Sequence, residues 1–239
     1  MAPIIIRVAT AVMAIAMTTE TGELPLLRLM TWLSPAFPVG GFAYSGGLEA
    51  AVREGHVATA GELHDWLEAL LRHGSFWNDA VLLAEAWNAG TDRRRLGAAA
   101  DLARALAGSR ERHVETTALG EAFLAAAAPW TPIPGGVADD EAPYPVAVGA
   151  VAAANGVPLD ALLAAWLHAA AAQLVSAAIR LSVLGQREAT ALLAAIEPTL
   201  LDVAGRAASS TLDDLGGATI IADILSARHE NLHIRLFRS

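Results

Sequence analysis

The apolar stretch from Leu159 to Leu181 constrains the fold most, because it is long, rich in alanine and free of β-branched runs. Such a composition favours a helix over a strand. A helix of this length, entered through Pro158, spans about 34 Å at 1.5 Å per residue. Because it is apolar on nearly every side, we expect it to be the buried central helix of the protein.

The remaining sequence predicts the same fold class. With 239 residues and 54% hydrophobic content, the chain is long enough to bury one sizeable core. Apolar spacing, capping residues and Gly/Pro breaks predict further helices over residues 24–33, 42–51, 61–87 with a break at Gly74, 92–106, 112–127, 146–154, 186–204, 212–215 and 219–227. We therefore predict an all-α, single-domain multi-helix bundle over residues 24–239.

Individual residues add detail to the predicted helices and to the loops between them. Asp92 is a candidate N-cap, and Val114, Leu119 and Phe123 are expected to face the core from one helix. Prolines and glycines predict a shaped loop over residues 34–41 and a surface loop over residues 129–145, the latter with an acidic cluster at 139–141.

Residues 1–23 are predicted to be an N-terminal extension that is disordered or reflects a start codon upstream of Met17. The apolar part, from Met1 to Met17, lacks a clean cleavage site for secretion. It is also shorter than the roughly 20 residues that span a bilayer. We expect a cytoplasmic protein without a membrane partner.

The composition excludes several function classes. A net charge of -9 argues against a nucleic-acid partner, since such binding needs clustered cations. The chain has no cysteine and no lysine, so it has neither a thiolate nucleophile nor the lysine of a phosphate-binding loop or a Schiff base. We expect no cofactor and no catalytic residues.

Two enzyme hypotheses remain as alternatives. The segment from Ala43 to Gly47 approximates the G-x-S-x-G turn of serine hydrolases, with Ser45 as the nucleophile, although such a turn requires a preceding core strand. His229 and His233 are four residues apart, as metal ligands on a helix are, although a third ligand is missing. We favour a surface or partner contact over metal binding for both histidines.

The C-terminal sequence Arg235-Leu236-Phe237-Arg238-Ser239 alternates guanidinium groups with large apolar side chains. Arginine binds carboxylates through two hydrogen bonds and phenylalanine fills pockets, so the segment suits an interface. Glu49 has no obvious acid partner and is interpreted as a carboxylate that acts through its charge near a helix start.

Four separated stretches resemble the UreF family of urease accessory proteins. They read SPAFPVGGFAYSGGLE at residues 34–49, ETTALG at 115–120, LVSAAIR at 174–180 followed by LGQ at 184–186, and RHENLHIRLFRS at 228–239. The resemblance implies an all-α protein that dimerises and binds the accessory protein UreD. With UreD it would recruit the GTPase UreG to apo-urease, so that nickel is inserted there.

Matching positions suggest which residues bind partners. Residues Pro38, Gly40, Tyr44, Ser45, Gly47 and Glu49 would shape an N-terminal functional loop and helix. Glu49 is a candidate for gating UreG or nickel transfer, and Arg180 and Gln186 would belong to a UreG-facing surface. The tail that docks on UreD would be formed by Arg228, His229, Glu230, Arg235, Leu236, Phe237 and Arg238.

The resemblance also gives an expectation for the tail itself. A segment that docks on a partner is expected to be disordered in the free protein and to order on binding. On that view, deleting residues 235–239 abolishes UreD binding and leaves helicity and thermal stability nearly unchanged.

Overall fold

The computed structural model describes residues 22–130 and 142–239. Most of the predicted N-terminal extension, up to residue 21, and the predicted acidic cluster at 139–141 lie outside the described residues. Within the described ranges every regular element is helical, which confirms the all-α prediction.

The helices follow one another in this order: α1 (22–32), a 3-10 turn (Gly41–Ala43), α2 (Leu48–Arg53), α3 (Ala60–His73), α4 (Ser75–Ala89), α5 (Arg93–Ala105), α6 (Arg110–Ala127), α7 (Tyr144–Ala154), α8 (Leu159–Arg180), α9 (Gln186–Ala208), a second 3-10 turn (Leu212–Asp214) and α10 (Ile220–His229). The helix predicted over residues 42–51 is wrong. Gly46 and Gly47 adopt positive φ angles of 57° and 83°, which separate the first 3-10 turn from α2.

Capping explains several helix ends. Thr59 forms a capping box with Glu62 at the start of α3, and the Asp92 carboxylate accepts from the amides of Arg94 and Arg95 in the first turn of α5. Gly74 separates α3 from α4. The predicted cap at Asp92 and the predicted break at Gly74 are thus both confirmed.

The helix at the centre of the bundle is α7 rather than α8. Every residue from Pro145 to Ala152 is buried, and α7 packs against both α4 and α6. By contrast, α8 leaves His168, Ser176 and Arg180 exposed, so the expectation that α8 is the buried central helix is wrong. By length and composition α8 could cross a membrane, but a core helix passes the same test and half of α8 is buried here.

The contact between α4 and α7 depends on a glycine. A Cβ added to Gly149 would lie 2.4 Å from the carbonyl oxygen of Leu83 and 3.0 Å from Cβ of Ala86. Only a residue without a side chain therefore lets the two helices approach this closely.

Aromatic side chains fix the segment that precedes the functional site. The rings of Trp32 and Phe37 pack against Phe123 on α6, with centroids 6.3 Å and 5.8 Å away. Phe123 and Leu119 are buried as predicted, whereas Val114 is 50% exposed and does not face the core. Residues 33–40 are thereby held against α6, and the chain then passes through the first 3-10 turn to α2.

We predict that Gly149→Ala destabilises the protein by about 2 kcal/mol, because the added methyl group forces α4 and α7 apart. The matched control is Gly97→Ala in α5, where an added Cβ meets nothing within 4 Å. That control should be stabilising by about 0.5–1 kcal/mol through helix propensity. Urea unfolding measures both, and equal effects would contradict the close packing of α4 on α7.

Candidate functional site

The N-terminus of α2 is pressed against α10. Gly47 lies directly before α2, and a Cβ there would be 3.0 Å from the backbone of Ser226 on α10. Its φ of 83° also disfavours other residues. This close approach brings Glu49, in the first turn of α2, underneath the segment that follows α10.

Glu49 is the centre of the site. Its side chain is fully buried, yet its carboxylate has a full set of partners. The backbone N–H groups of Leu236 and Phe237 donate to it at 3.0 Å each, and Nε2 of His229 lies 3.2 Å away. Arg53 pairs with it one helical turn later, at 3.2 Å. A buried carboxylate is tolerated only when it is paired and hydrogen-bonded in this way.

These partners also set the acidity of Glu49. Burial raises its pKa, but the hydrogen bonds from Leu236, His229 and Phe237 favour the ionised form more strongly. The net result is a pKa below the ordinary value. The ionised carboxylate of Glu49 therefore holds the segment that follows α10.

A second carboxylate, Glu111 in the first turn of α6, completes the binding of His229. Its Oε2 lies 2.6 Å from Nδ1 of the fully buried His229. Both ring nitrogens of His229 thus face a carboxylate oxygen, one from Glu49 and one from Glu111. Glu111 also pairs with Arg235, and Glu230 accepts the amides of Arg110 and Glu111 at 2.8 Å and 3.3 Å.

The last residues of the chain are held in the same place. The N–H of Arg238 donates to the carbonyl of Ala43 at 2.8 Å, and the N–H of Ser45 donates to the carbonyl of Ser239 at 2.8 Å. The hydroxyl of Ser239 bonds to Glu115 on α6 at 2.9 Å. We call residues 230–239 the tail, and Glu49, Glu111 and Glu115 together the tail socket.

Phe237 is the apolar anchor of the tail. It is buried among core residues, and the guanidinium of Arg180 lies 4.2 Å from its ring centroid. Arg180 also donates to the carbonyl of Phe42 at 2.8 Å. Such a stacked cation adds to the burial of the ring. Arg180 thus joins α8, the loop before α2 and the tail.

An ionic group lies behind the socket. Arg112 pairs with Asp79 on α4 and, at 3.3 Å, with Glu115. Burial raises the pKa of Asp79 and of Glu115. Burial alone would lower the pKa of Arg112, but the two neighbouring carboxylates outweigh it, so this pKa is raised. Through Glu115, this group connects the tail to the middle of the bundle.

Most of the predicted partner-binding residues meet at this socket. The structure brings Tyr44, Ser45, Gly47, Glu49, Arg180, His229, Glu230, Arg235, Leu236, Phe237 and Arg238 together, and Arg228 pairs with Glu54 at 2.7 Å on the rim. Gly40 caps the 3-10 turn that precedes the socket. Pro38 and Gln186 are exposed and contribute no hydrogen bond or ion pair to the socket within residues 22–130 and 142–239.

Sequence reasoning missed Glu111 and gave no role to Glu115. Glu111 lies outside the stretches that carry the resemblance and is more than 100 positions from His229 and Arg235. Glu115 opens the ETTALG stretch, but that stretch did not indicate what its carboxylate binds. For Glu111 the available signal was indirect: an arginine such as Arg235 near the C-terminus needs a carboxylate to receive it.

The tail is ordered by contacts within its own chain, so the expectation of a disordered tail is wrong. Phe237 and Ser239 are only 3% and 1% exposed. Deleting residues 235–239 would open the core beside Phe237 and leave the buried Glu49 with fewer partners. We therefore expect the deletion to lower thermal stability, in contrast to the expectation from the sequence.

Ser45 is a structural residue. It is fully buried, it follows a 3-10 turn rather than a strand, and its hydroxyl donates to the carbonyl of Ser239. A nucleophilic serine must instead be exposed and supported by a base. This geometry contradicts the serine hydrolase hypothesis.

The two histidines do not form a metal pair. Helix α10 ends at His229, so His233 lies beyond the helix and is exposed, whereas His229 is buried between two carboxylates. No group of three potential ligands suited to a metal ion occurs in the described parts of the chain. The metal-site hypothesis loses the helical spacing on which it rested.

We predict that Glu49→Gln lowers the free energy of unfolding by about 3 kcal/mol, because the neutral amide cannot accept from both tail amides and His229. Thermal unfolding should show a drop of roughly 6–12 °C. The matched control is Glu54→Gln, which removes the exposed ion pair with Arg228 and should cost less than about 1 kcal/mol. Equal effects of both variants would refute the special role of Glu49.

The lowered pKa of Glu49 predicts that acid releases the tail. Its stabilising contribution is complete above the ordinary pKa of 4.5 and is lost as the pH falls through the lower pKa of the docked state. NMR signals of the Leu236 and Phe237 amides should follow this step. Glu49→Gln should lack it and Glu54→Gln should retain it, while release above about pH 5 would contradict this assignment.

Known proteins are similar in sequence to this chain over most of its length. The UreF family profile matches residues 57–197. The urease accessory protein UreF of Agrobacterium fabrum (strain C58 / ATCC 33970) is 59% identical over 223 residues, which cover 93% of this chain and 100% of the relative. UreF of Sinorhizobium medicae (strain WSM419) is 56% identical over 90% of this chain and 96% of its own, and UreF 1 of Brucella canis (strain ATCC 23365 / NCTC 10854 / RM-666) is 57% identical over 90% and 94%. The chain therefore belongs to the UreF family of urease accessory proteins.

Proposed function

We propose that this protein is a non-catalytic adaptor in urease maturation. It binds UreD and, together with UreD, recruits and regulates the GTPase UreG, so that nickel is inserted into apo-urease. The family assignment supports an accessory role rather than an enzymatic one. The absence of lysine fits an adaptor that leaves nucleotide hydrolysis to its partner.

The observation that carries the proposal is that one side of the tail is buried in the protein and the other side is exposed. Phe237 and Ser239 point into the protein, whereas Ile234 and Leu236 are 77% and 69% exposed. Arg238 is exposed as well. The inward residues fix the backbone, and the outward ones offer large apolar groups beside a cation. Ordered apolar groups of this kind suit a protein partner, because little entropy is lost when they bind.

We infer different roles for the residues of the site. We assign UreD contact to the outward residues Ile234, Leu236 and Arg238. Glu49 is too deeply buried to touch UreG or nickel, so its role is to position the tail. Arg180 and Gln186 are exposed on α8 and α9 and remain our candidates for the UreG-facing surface. The active unit is proposed to be a cytoplasmic homodimer.

The complex itself is the direct test of the adaptor role. The chain is co-expressed with UreD and UreG and analysed by size-exclusion chromatography with light scattering, with and without GTP and nickel. We expect a stable complex that contains all three proteins and two copies of this chain. Failure to associate under every condition would overturn the proposal.

We predict that the double substitution Ile234→Ser/Leu236→Ser weakens UreD binding by about tenfold or more without lowering thermal stability, since both side chains are exposed. The matched control is Leu201→Ser on α9, which is 65% exposed and should leave UreD affinity unchanged. Affinity is measured from the binding of each variant to UreD immobilised on a surface. Full affinity in the double variant would show that the tail's outer side is not the UreD surface.

A further inference from the structure

A groove between α3 and the start of α10 lies apart from the tail socket. It has a volume of about 620 Å³ and is lined by Glu62, Asp65, Trp66 and Ala69 on one side and by Thr219, Ile220 and Ile221 on the other. We call it the α3–α10 groove. Nothing in the tail socket or in the proposed UreD surface explains the residues that line it.

Helix α10 is apolar on two sides. Ala222 and Leu225 are buried in the core, which accounts for its inner side. Ile220 and Ile221 nevertheless expose 68% and 58% of their surface at the groove, and Ile224, one turn later, exposes 47%. Several large exposed apolar groups on one short helix are typical of a contact surface.

The charge of the groove favours a cationic ligand. Glu62 and Asp65 are the carboxylates that line it, and His56 is the one titratable base among the lining residues that the structure describes. The side chain of Asp65 is 86% exposed at the groove, where its Oδ1 lies 3.6 Å from Nδ1 of His64. The net charge of the whole chain, -9, adds to this preference.

We propose that the α3–α10 groove binds a basic amphipathic segment of a partner protein. Apolar side chains of the segment cover Ile220 and Ile221, and cationic side chains meet Glu62 and Asp65. This is the helix-in-groove mode of recognition. A second copy of this chain fits poorly, because it is strongly acidic and lacks lysine. The proposal does not depend on the UreD or UreG assignments.

The test uses a synthetic probe and the full-length protein. A fluorescent helical peptide of about 18 residues, with leucine on one side and lysine on the other, is titrated and followed by anisotropy. We expect binding with a Kd on the order of 10 µM that weakens as salt rises. A peptide with glutamate in place of lysine should bind at least about tenfold more weakly.

Groove variants locate the bound peptide. Ile220→Ser/Ile221→Ser should weaken binding about tenfold, and Asp65→Asn should weaken it roughly twofold to fivefold and reduce its salt dependence. Leu201→Ser, which alters an equally exposed side chain on α9, should bind as the parent does. Trp66→Phe identifies the indole N–H signal of Trp66 in the NMR spectrum of the parent, and added peptide should shift that signal.

The results that overturn the proposal are equally definite. They are a lysine peptide that does not bind, a glutamate peptide that binds equally well, or binding that survives both the double isoleucine substitution and Asp65→Asn. Circular dichroism confirms that the variants remain folded. Since UreD and UreG are absent from the experiment, its failure leaves the adaptor proposal standing, and failure of the adaptor complex leaves this one standing.

Discussion

A single buried carboxylate organises one whole end of this protein. Glu49 has no exposed surface, so the fold must supply partners for its charge from inside the molecule. It finds them in His229 and in two backbone amides of the last residues of the chain. The glycines before α2, the approach of α10 and the path of the tail all serve that requirement.

The same constraint links the tail to the rest of the bundle. Glu111 and Glu115 extend the socket along α6, and Arg112 and Asp79 continue it into α4. Buried ionic groups seldom add net stability compared with apolar packing, but removing one member leaves the others unpaired. In the adaptor role that we propose, such a group gives the tail one defined conformation. The residues that face a partner are then ordered before the partner arrives.

Local signals predicted the helices, and long-range contacts escaped prediction. Asp92 and Gly74 act through their immediate neighbours, so their roles could be inferred from sequence. The partners of Glu49 lie about 180 positions away, and no periodicity reveals such a pair. The same limit explains the errors over Val114 and α8: apolar spacing indicates a helix, but which side is covered depends on the neighbouring helices. The tail's composition predicted an interface, and the structure shows that its inner side already contacts this chain.

Hydrogen exchange on the isolated, full-length protein tests the central claim most directly, because no partner is present to order the tail. Exchange of the Leu236 and Phe237 amides at neutral pH is compared with that of the same amides in a peptide of residues 230–239. If the Glu49 carboxylate holds the tail, both amides exchange at least about a hundredfold more slowly in the protein than in the peptide. Equal rates would mean that the tail is free, and would contradict the account of the socket.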